Sequence, residues 1–340
     1  MDITIGIKAL NEERHIGGAI EAALEAIRGL EGEVILADSG STDRTIEIAS
    51  QYPIRIVQLA NTAERCCGAG AQLAFQHARG AYFYMLDGDM VLDPDFVEAA
   101  KSFLDTHPEV AAVGGAVREM HTANAEFEIR ARALAADRNR EPGIVRWLDG
   151  GGLYRVKALR EVGWFADRNL HGFEELELGS RLSAGGWRVA RIDHHAVDHF
   201  GHQEDSFSLL IRRFRSGYAG AAGEALRAAL GQPHLGIMLR RLPQIRFSVV
   251  VTIWWLALAA AILAGGWIAL AVLLALPLGF LCWRRRSVRL GLFSFLSWNL
   301  GTVAFYMGLA RRRVRPDQPL ASRTLVTWPG ASMMYGRAAE

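Results

Sequence analysis

Residues 34–45 read VILADSGSTDRT, an apolar run that ends abruptly in a polar turn. The same form occurs at residues 82–89, YFYMLDGD, and at residues 3–13, ITIGIKALNEE. Segments with helical spacing of apolar residues lie between these runs, and strands that alternate with helices indicate parallel βαβ units. Ligands bind beyond the carboxyl ends of the strands in such sheets. The three polar clusters should therefore meet at one edge of an α/β sheet.

Two aspartates one residue apart, Asp87 and Asp89, close one of these runs. Two carboxylates on a tight turn can share one hard divalent cation, and Mg²⁺ or Mn²⁺ prefers oxygen ligands and is often shared with substrate phosphates. A lone Asp-x-Asp pattern is weak, but this one stands at the edge where ligands bind. The three cysteines are too few and too poorly spaced for a disulfide framework or a zinc cluster.

Five segments in order resemble the motifs of the family-2 glycosyltransferases, which have the GT-A fold. The order and spacing fit over roughly residues 2–200. The resemblance implies a Rossmann-like, mostly parallel sheet flanked by helices. The matching segments are Asn11-Glu12, DSGSTDRT at 38–45, LDGDM at 86–90, GGGLYRVKALREVGWF at 150–165 and FEELELGSRLSAGGWRV at 173–189.

The resemblance implies roles for residues in these motifs. Glu12 and Asp38 would contact the nucleotide of a sugar-nucleotide donor, and Asp87 would face its ribose and the metal. Asp89 would bind the Mn²⁺ or Mg²⁺ that bridges the diphosphate. The predicted metal ligands are Asp87, Asp89 and His199, and the predicted donor-binding residues are Asn11, Glu12, Asp38, Arg65, Asp87, Arg212 and Arg215. The last two arginines could instead face anionic lipid.

The resemblance places Glu175 at the position of the catalytic base, with Glu174 as the alternative. Glu177 could instead be a structural partner of Arg181, one helical turn later. A base is chemically reasonable because an acceptor hydroxyl has a high pKa and must lose its proton during attack. A single base with direct displacement would invert the anomeric centre, and no clear nucleophile for a retaining route is present.

The C-terminal part of the chain differs from the rest in charge and hydropathy. Residues 240–340 contain 13 arginines, no lysine and two acids, whereas the first 239 residues carry 25 basic and 34 acidic residues. Phe247–Ala264 and Trp267–Trp283 are uncharged apolar runs that approach the ~20 residues needed to cross a bilayer. Arginines flank their outer ends, so the positive-inside rule places both ends in the cytoplasm.

A third apolar run, Leu290–Ala310, is followed by four arginines within five residues. A third crossing would place those arginines outside, so we favour a re-entrant or interfacial segment over a third span. The predicted organisation is a catalytic domain at 1–203, amphipathic juxtamembrane helices at 204–245, a membrane region at 246–315 and a cytoplasmic tail at 316–340. The lack of an N-terminal signal peptide favours a cytoplasmic catalytic domain.

The leading hypothesis is an inverting, metal-dependent glycosyltransferase at the cytoplasmic face of a bacterial inner membrane. Its partners would be a nucleotide-sugar donor, a lipid-linked polyprenyl saccharide acceptor and membrane lipids, with no nucleic acid; an oligomer is possible. Transfer to bare polyprenyl phosphate is the first alternative, although a phosphate acceptor needs no base. An inactive membrane-bound scaffold that only binds nucleotide-sugar is the second. A pyrophosphorylase-like enzyme is disfavoured because Asn-Glu-Glu stands where its phosphate loop would be.

Overall fold

The computed structural model of the protein describes residues 1–120, 137–201 and 206–326. The chain forms two compact units, one comprising Met1–Gln203 with Arg313–Glu340, the other Glu204–Arg312. Each is described separately below. The residues 327–340 of the predicted tail lie outside the described ranges.

The first unit is built on one mixed sheet. Its strand order is β10-β3-β2-β1-β4-β8-β6-β9-β5, and β7 pairs with β9. The strands are β1 (Ile3–Ala9), β2 (Gly32–Asp38), β3 (Arg55–Leu59), β4 (Tyr82–Asp87), β5 (Met90–Leu92), β6 (Val110–Glu119), β7 (Gly143–Val145), β8 (Gly152–Arg155), β9 (Arg188–His199) and β10 (Ser322–Val326).

Helices cover both faces of this sheet. Ile3, Ile5 and Ile7 of β1 pack in one core with the first and fourth helices, while Ile35 and Val57 pack in a second core with the third and sixth. Strands buried on both faces read as continuous apolar runs rather than alternating ones, which explains the sequence pattern. The helices are α1 (Ile16–Ala26), α2 (Thr45–Ala49), α3 (Cys67–Gln76), α4 (Phe96–Thr106), α5 (Val156–Glu161) and α6 (Glu174–Ala184).

The predicted α/β fold is confirmed, with a difference in strand direction. The neighbours β3, β2, β1 and β4 run parallel, as the βαβ pattern predicts. Beyond β4 the sheet is mixed, because β8 runs antiparallel to both β4 and β6, and β5 runs antiparallel to β9. Short strands such as β5 and β8 carry too few residues for a period to show in the sequence.

The segment after the apolar helices also differs from a simple tail. Residues 322–326 form β10, which pairs antiparallel with β3 at the edge of the sheet. Three of its five residues, read from Arg323 to Leu325, are exposed, so the strand has no apolar pattern that predicts it.

The second unit is helical. Its short helices α7 (Ser206–Arg215), α8 (Ala221–Ala229) and α9 (Leu235–Arg241) precede three long apolar helices. These are α10 (Pro243–Leu263), α11 (Trp267–Arg285) and α12 (Val288–Ala310), and each is long and apolar enough to cross a membrane. A turn at Gly265, with φ +65°, separates α10 from α11.

Candidate active site

The register of the parallel strands brings the three polar clusters to one edge of the sheet. Lys8 lies opposite Asp87 on β4, and the next residue, Ala9, lies opposite Asp38 on β2. The residues that follow β1, β2 and β4 therefore leave the sheet side by side. This is the carboxyl edge, where parallel α/β sheets bind their ligands.

The loop after β2 is held by side chains from two clusters. Asp38 is fully buried, and its carboxylate accepts hydrogen bonds from the Gly40 amide at 2.8 Å and the Gln58 side chain at 2.9 Å. Asn11 has a left-handed backbone, with φ 59°, and its side-chain oxygen accepts from the Thr42 amide at 2.8 Å. Asn11 and Asp38 thus fix the shape of the loop on which the predicted nucleotide pocket depends.

A half-buried lysine joins two of the predicted site carboxylates. Lys8 Nζ lies 3.2 Å from Asp87 Oδ1 and 3.2 Å from Glu174 Oε1. Loss of hydration lowers the pKa of Lys8, but Asp87 and Glu174 outweigh it and hold that pKa well above the usual lysine value. The ammonium group therefore stays charged and ties the end of β4 to the start of α6.

The start of α6 presents its acids in one turn, and they have different environments. Phe173, just before the helix, has a left-handed backbone, and Glu174, Glu175 and Glu177 follow in the first turn, where the helix dipole favours negative charge. Arg181 Nε donates to both carboxylate oxygens of Glu177, at 2.8 and 2.9 Å. The predicted structural pairing of Glu177 with Arg181 is confirmed.

Glu174 and Glu175 differ in their partners. The Glu174 carboxylate accepts from Lys8, whereas the Glu175 carboxylate has no hydrogen bond or ion pair with another residue in the described part of the chain. Burial and the neighbouring Glu174 charge raise the pKa of Glu175 well above its ordinary value. A carboxylate with a raised pKa and no bound cation is suited to accept a proton.

A second group of side chains surrounds Asp89. The antiparallel pairing of β5 with β9 sets Met90 opposite His199, and β6 sets Glu119 opposite the same histidine. His199 Nε2 lies 3.4 Å from Asp89 Oδ2, and its Nδ1 lies 2.7 Å from Glu119 Oε2. Burial opposes protonation, but hydrogen bonds with Asp89 and Glu119 raise the pKa of His199 to about 10.

Glu12 completes the acidic edge. Burial, followed by the Asp89 and Asp87 charges, raises the pKa of Glu12 to about 8. Its side chain also lies against Gly88, where a Cβ would come 3.0 Å from Glu12 Cγ. Three carboxylates concentrated here create a negative potential that a cation would relieve.

The chemistry of this group fits a divalent metal. No cluster of three or more potential ligands is gathered within the described ranges. Asp89 and His199 nevertheless offer an oxygen and a nitrogen close together, with Asp87 on the same turn, and substrate phosphates commonly complete the coordination of Mg²⁺. His199 would have to release its Nε2 proton to act as a ligand.

The remaining predicted donor-binding residues are arginines. Arg65 is exposed and follows a 3₁₀ turn, Thr62–Glu64, on the loop after β3. Arg212 and Arg215 lie on α7 in the second unit. Their assignments stay predictions.

Sequence reasoning missed Lys8 and Glu119. Lys8 stands in a strand whose other residues are almost all buried and apolar, and a charge in such a run needs a partner. That signal was present in the sequence. Glu119 carried no comparable signal, because its contact with His199 depends on the parallel pairing of β6 with β9.

The mixed sheet with helices on both faces has the fold of the GT-A glycosyltransferases. The mannosyltransferase PcManGT from Pyrobaculum calidifontis, solved in complex with GDP-Man and Mn²⁺, resembles this chain with a TM-score of 0.56. The match covers 89% of this chain and 86% of that one at 18% sequence identity, so the likeness concerns the fold.

Sequence comparison identifies the family. Residues 4–163, a little under half of the chain, match the family model described as Glycosyl transferase family 2, and this match identifies that region as a family-2 glycosyltransferase domain. The protein EpsE of Bacillus subtilis (strain 168) is 30% identical over 188 residues, which cover 52% of this chain and 65% of EpsE. The succinoglycan biosynthesis protein ExoA of Rhizobium meliloti (strain 1021) is 27% identical over 204 residues, which cover 56% of this chain and 60% of ExoA. The matched regions thus span less than two thirds of either relative.

Proposed function

We propose that the protein transfers a sugar from a nucleotide-sugar donor to a lipid-linked saccharide acceptor at the cytoplasmic face of a bacterial inner membrane, with inversion, in polysaccharide synthesis. The family and the apolar helices support membrane-associated glycosyl transfer. The name of ExoA, which refers to succinoglycan biosynthesis, supports the polysaccharide context. The observation that carries the proposal is the pair of adjacent acids, one bound by Lys8 and one not, beside the acidic edge.

Donor binding is assigned to the edge formed by the first, second and fourth strands. Asn11 and Asp38 shape the nucleotide loop through their hydrogen bonds to Thr42 and Gly40, and Glu12 faces the space above Gly88. Arg65, on the neighbouring loop, would approach the diphosphate. Because nucleoside diphosphate carries the charge that develops on bond cleavage, cationic groups here would stabilise the leaving group.

Asp87, Asp89 and His199 would hold Mn²⁺ or Mg²⁺. The metal would supply electrostatic stabilisation of the departing diphosphate. Glu119 accepts or shares the Nδ1 proton of His199 and so orients the ring toward Asp89. Lys8 fixes Asp87 from the opposite side.

Glu175 is the proposed base. The acceptor hydroxyl oxygen forms a bond to the anomeric carbon, the bond from that carbon to the diphosphate breaks, and the hydroxyl proton passes to Glu175. Glu174 is the poorer candidate, since its carboxylate is already engaged by the Lys8 ammonium group at 3.2 Å. One base and one displacement invert the anomeric centre.

The experiment that tests the proposal has two stages. Purified full-length protein is first screened for hydrolysis of several nucleotide-sugars with Mn²⁺ or Mg²⁺, with Asp89→Asn as the matched control that keeps the shape of the side chain. The active donor is then supplied with either a polyprenyl-linked saccharide or bare polyprenyl phosphate.

The outcomes separate the hypotheses. Product only on the saccharide supports the proposal, and product only on the phosphate replaces it with polyprenyl-phosphate glycosyl transfer. Donor binding without hydrolysis or transfer under any of these conditions would indicate the scaffold.

A further inference from the structure

The segment that follows α12 is folded into the catalytic unit. We call residues 313–326 the return segment. Arg313 Nη2 lies 2.7 Å from Oδ2 of Asp167, which is fully buried. Asn169 binds the Val314 backbone twice, donating to its carbonyl at 2.9 Å and accepting from its amide at 2.8 Å. The return segment therefore begins at a loop of the catalytic unit directly after α12 ends.

The rest of the return segment is held equally firmly. Gln76 donates to the Leu320 carbonyl at 3.0 Å and accepts from the Leu320 amide at 2.8 Å. The Leu320 side chain is only 2% exposed and belongs to the core. Residues 322–326 then pair with β3 as β10. These contacts make the return segment part of one folded body with the described residues 1–120 and 137–201.

The number of membrane crossings follows from this connectivity. Residues before α7 and residues after α12 belong to one folded unit, which must lie on one side of a membrane. A chain that leaves and returns to the same side crosses an even number of times. The three candidate helices therefore cannot all span the bilayer. Because α10 and α11 have the higher mean hydropathy, 2.0 and 1.9 against 1.3 for α12, they form the spanning hairpin and α12 is the helix that does not cross.

We propose that α12 lies in the cytoplasmic leaflet, at the boundary between headgroups and acyl chains, and binds anionic lipid headgroups through the arginines at its two ends. The helix differs from the other two in its packing. In its most apolar stretch of 18 residues, 28% is buried within the protein, against 11% for α10 and 6% for α11. It is also the least hydrophobic of the three.

The contacts between α12 and the hairpin support a shallow position. On α10 the ring contact of Phe247 with Trp298 and the hydrogen bond from Trp255 to Asn299 lie within a rise of about 12 Å, less than half of a ~30 Å hydrocarbon core. On α11, the end of the helix contacts the start of α12, where a Cβ on Gly291 would meet Cys282 and Arg285 donates to Ser294. Both regions belong to the hairpin end flanked by arginines, opposite Gly265.

The other side of α12 is covered by a short, charged helix. A Cβ on Gly223 of α8 would clash with the Phe305 carbonyl, so the two helices pack backbone to backbone. Glu224 of α8 is fully buried and pairs with Arg311 at the end of α12. Nine-residue α8 is too short to span a bilayer, and a crossing by α12 would draw this acid toward the hydrocarbon.

The exposed surface of α12 fits a leaflet. Leu292, Leu296, Val303 and Met307 are exposed, and their spacing of four and seven residues places them on one stripe. Arginines cluster at both ends of this stripe. A helix with an apolar stripe and basic ends is suited to the anionic cytoplasmic surface. The basic residues are Arg284, Arg285, Arg286 and Arg289 at one end, and Arg312 and Arg315 at the other.

Topology is tested with single cysteines in full-length protein whose three native cysteines are replaced. Ala264→Cys marks the hairpin turn without disturbing the positive φ of Gly265, and Val314→Cys marks the return segment. An impermeant maleimide applied to whole cells should label position 264 and fail at 314, while inverted vesicles should show the reverse. Labelling of 314 from outside would overturn the proposal.

Depth and lipid choice are tested in vesicles of phosphatidylcholine and phosphatidylglycerol. A fluorophore on Leu296→Cys or Val303→Cys should be quenched most by nitroxides near the headgroup, whereas Leu256→Cys on α10 should respond to deep nitroxides. Deep quenching at 296 and 303 would refute the shallow position.

The lipid class is read from the headgroup-level nitroxide itself. A probe on Leu292→Cys should be quenched more strongly when the nitroxide is carried by phosphatidylglycerol than by phosphatidylcholine. Replacing Arg284, Arg286 and Arg289 together by glutamine should remove that preference. Equal quenching in the unmodified sequence would refute the choice of anionic lipid. None of these measurements uses sugar transfer, so they stand or fall independently of the proposed function.

Discussion

Replacement of Lys8 by methionine should destabilise the catalytic sheet and do so more at high pH than at low pH. The ammonium group lies 3.2 Å from both Asp87 and Glu174, and at an effective dielectric constant near 20 each contact has a gross Coulomb energy of about 5 kcal/mol. The free-energy cost of removing these charges from water offsets most of this Coulomb energy. Removing one partner of a buried pair costs about 3–5 kcal/mol, and because Asp87 is 36% exposed we expect about 2–4 kcal/mol here.

The sign of the pH dependence follows from the groups left behind. The raised pKa of Lys8 keeps its stabilising charge intact below about pH 10, so the unmodified protein retains this contribution throughout the neutral range. In Lys8→Met, Asp87 and Glu174 face each other without a cation. The pKa of Asp87, which burial already raises, should rise further without the cation, so the loss of stability is larger at pH 8 and smaller at pH 5, where Asp87 can take up a proton.

Hydrogen exchange measured by mass spectrometry in detergent can report the stability of peptides from β1, β2 and β4. Lys101→Met is the matched control, because Lys101 forms an exposed pair with Asp105 at 2.7 Å and its loss should change stability by no more than about 0.5 kcal/mol. If Lys8→Met matches this control, or if its deficit is the same at pH 5 and pH 8, the reasoning about the buried cation is wrong.

Four further outcomes are expected. Asp89→Asn should abolish divalent-dependent donor binding in titration calorimetry, and full activity in excess chelator would contradict the metal assignment. Glu175→Gln should keep donor binding but lower transfer by roughly 10²–10⁴-fold; that profile in Glu174→Gln instead would move the base by one residue. Transfer should increase with pH through the raised pKa of Glu175, because the base acts ionised, and a flat profile from pH 5 to 9 would oppose the role. Gln76→Ala should increase the rate of hydrogen exchange at the Leu320 amide, because the change removes two hydrogen bonds worth about 1 kcal/mol each. An unchanged rate would show that other contacts hold the return segment.

The parallel half of the fold could be predicted from the sequence because it depends on local patterns. Buried strands such as β2 leave continuous apolar runs, and polar turns mark where they end. The start of α6 at Glu174 and the long apolar helices were predictable for the same reason. By contrast, β10 pairs across more than 260 residues with β3, and nothing local in its five residues records that partner.

The site was predictable in its residue types but less so in its pairings. The Asp-x-Asp turn predicts a cation site. The acids at the start of α6 supply the candidates for a proton acceptor. The direction of the Lys8 side chain, however, decides that Lys8 binds Glu174 and not Glu175. The register of β9 against β6 decides which imidazole nitrogen of His199 faces Asp89. Both pairings depend on tertiary contacts between segments that are distant in the sequence. A charge within a buried strand was nevertheless a local sign that a partner was needed.

The return segment is anchored on two loops of the catalytic unit. Arg313 binds Asp167, and the next residue, Arg168, pairs with Glu64 while donating to the backbone of the return segment at Gln318. Glu64 precedes Arg65, a predicted donor contact, and Asp167 lies seven residues before Glu174. The same few hydrogen bonds therefore hold two loops, one leading to the donor side and one to the proposed base.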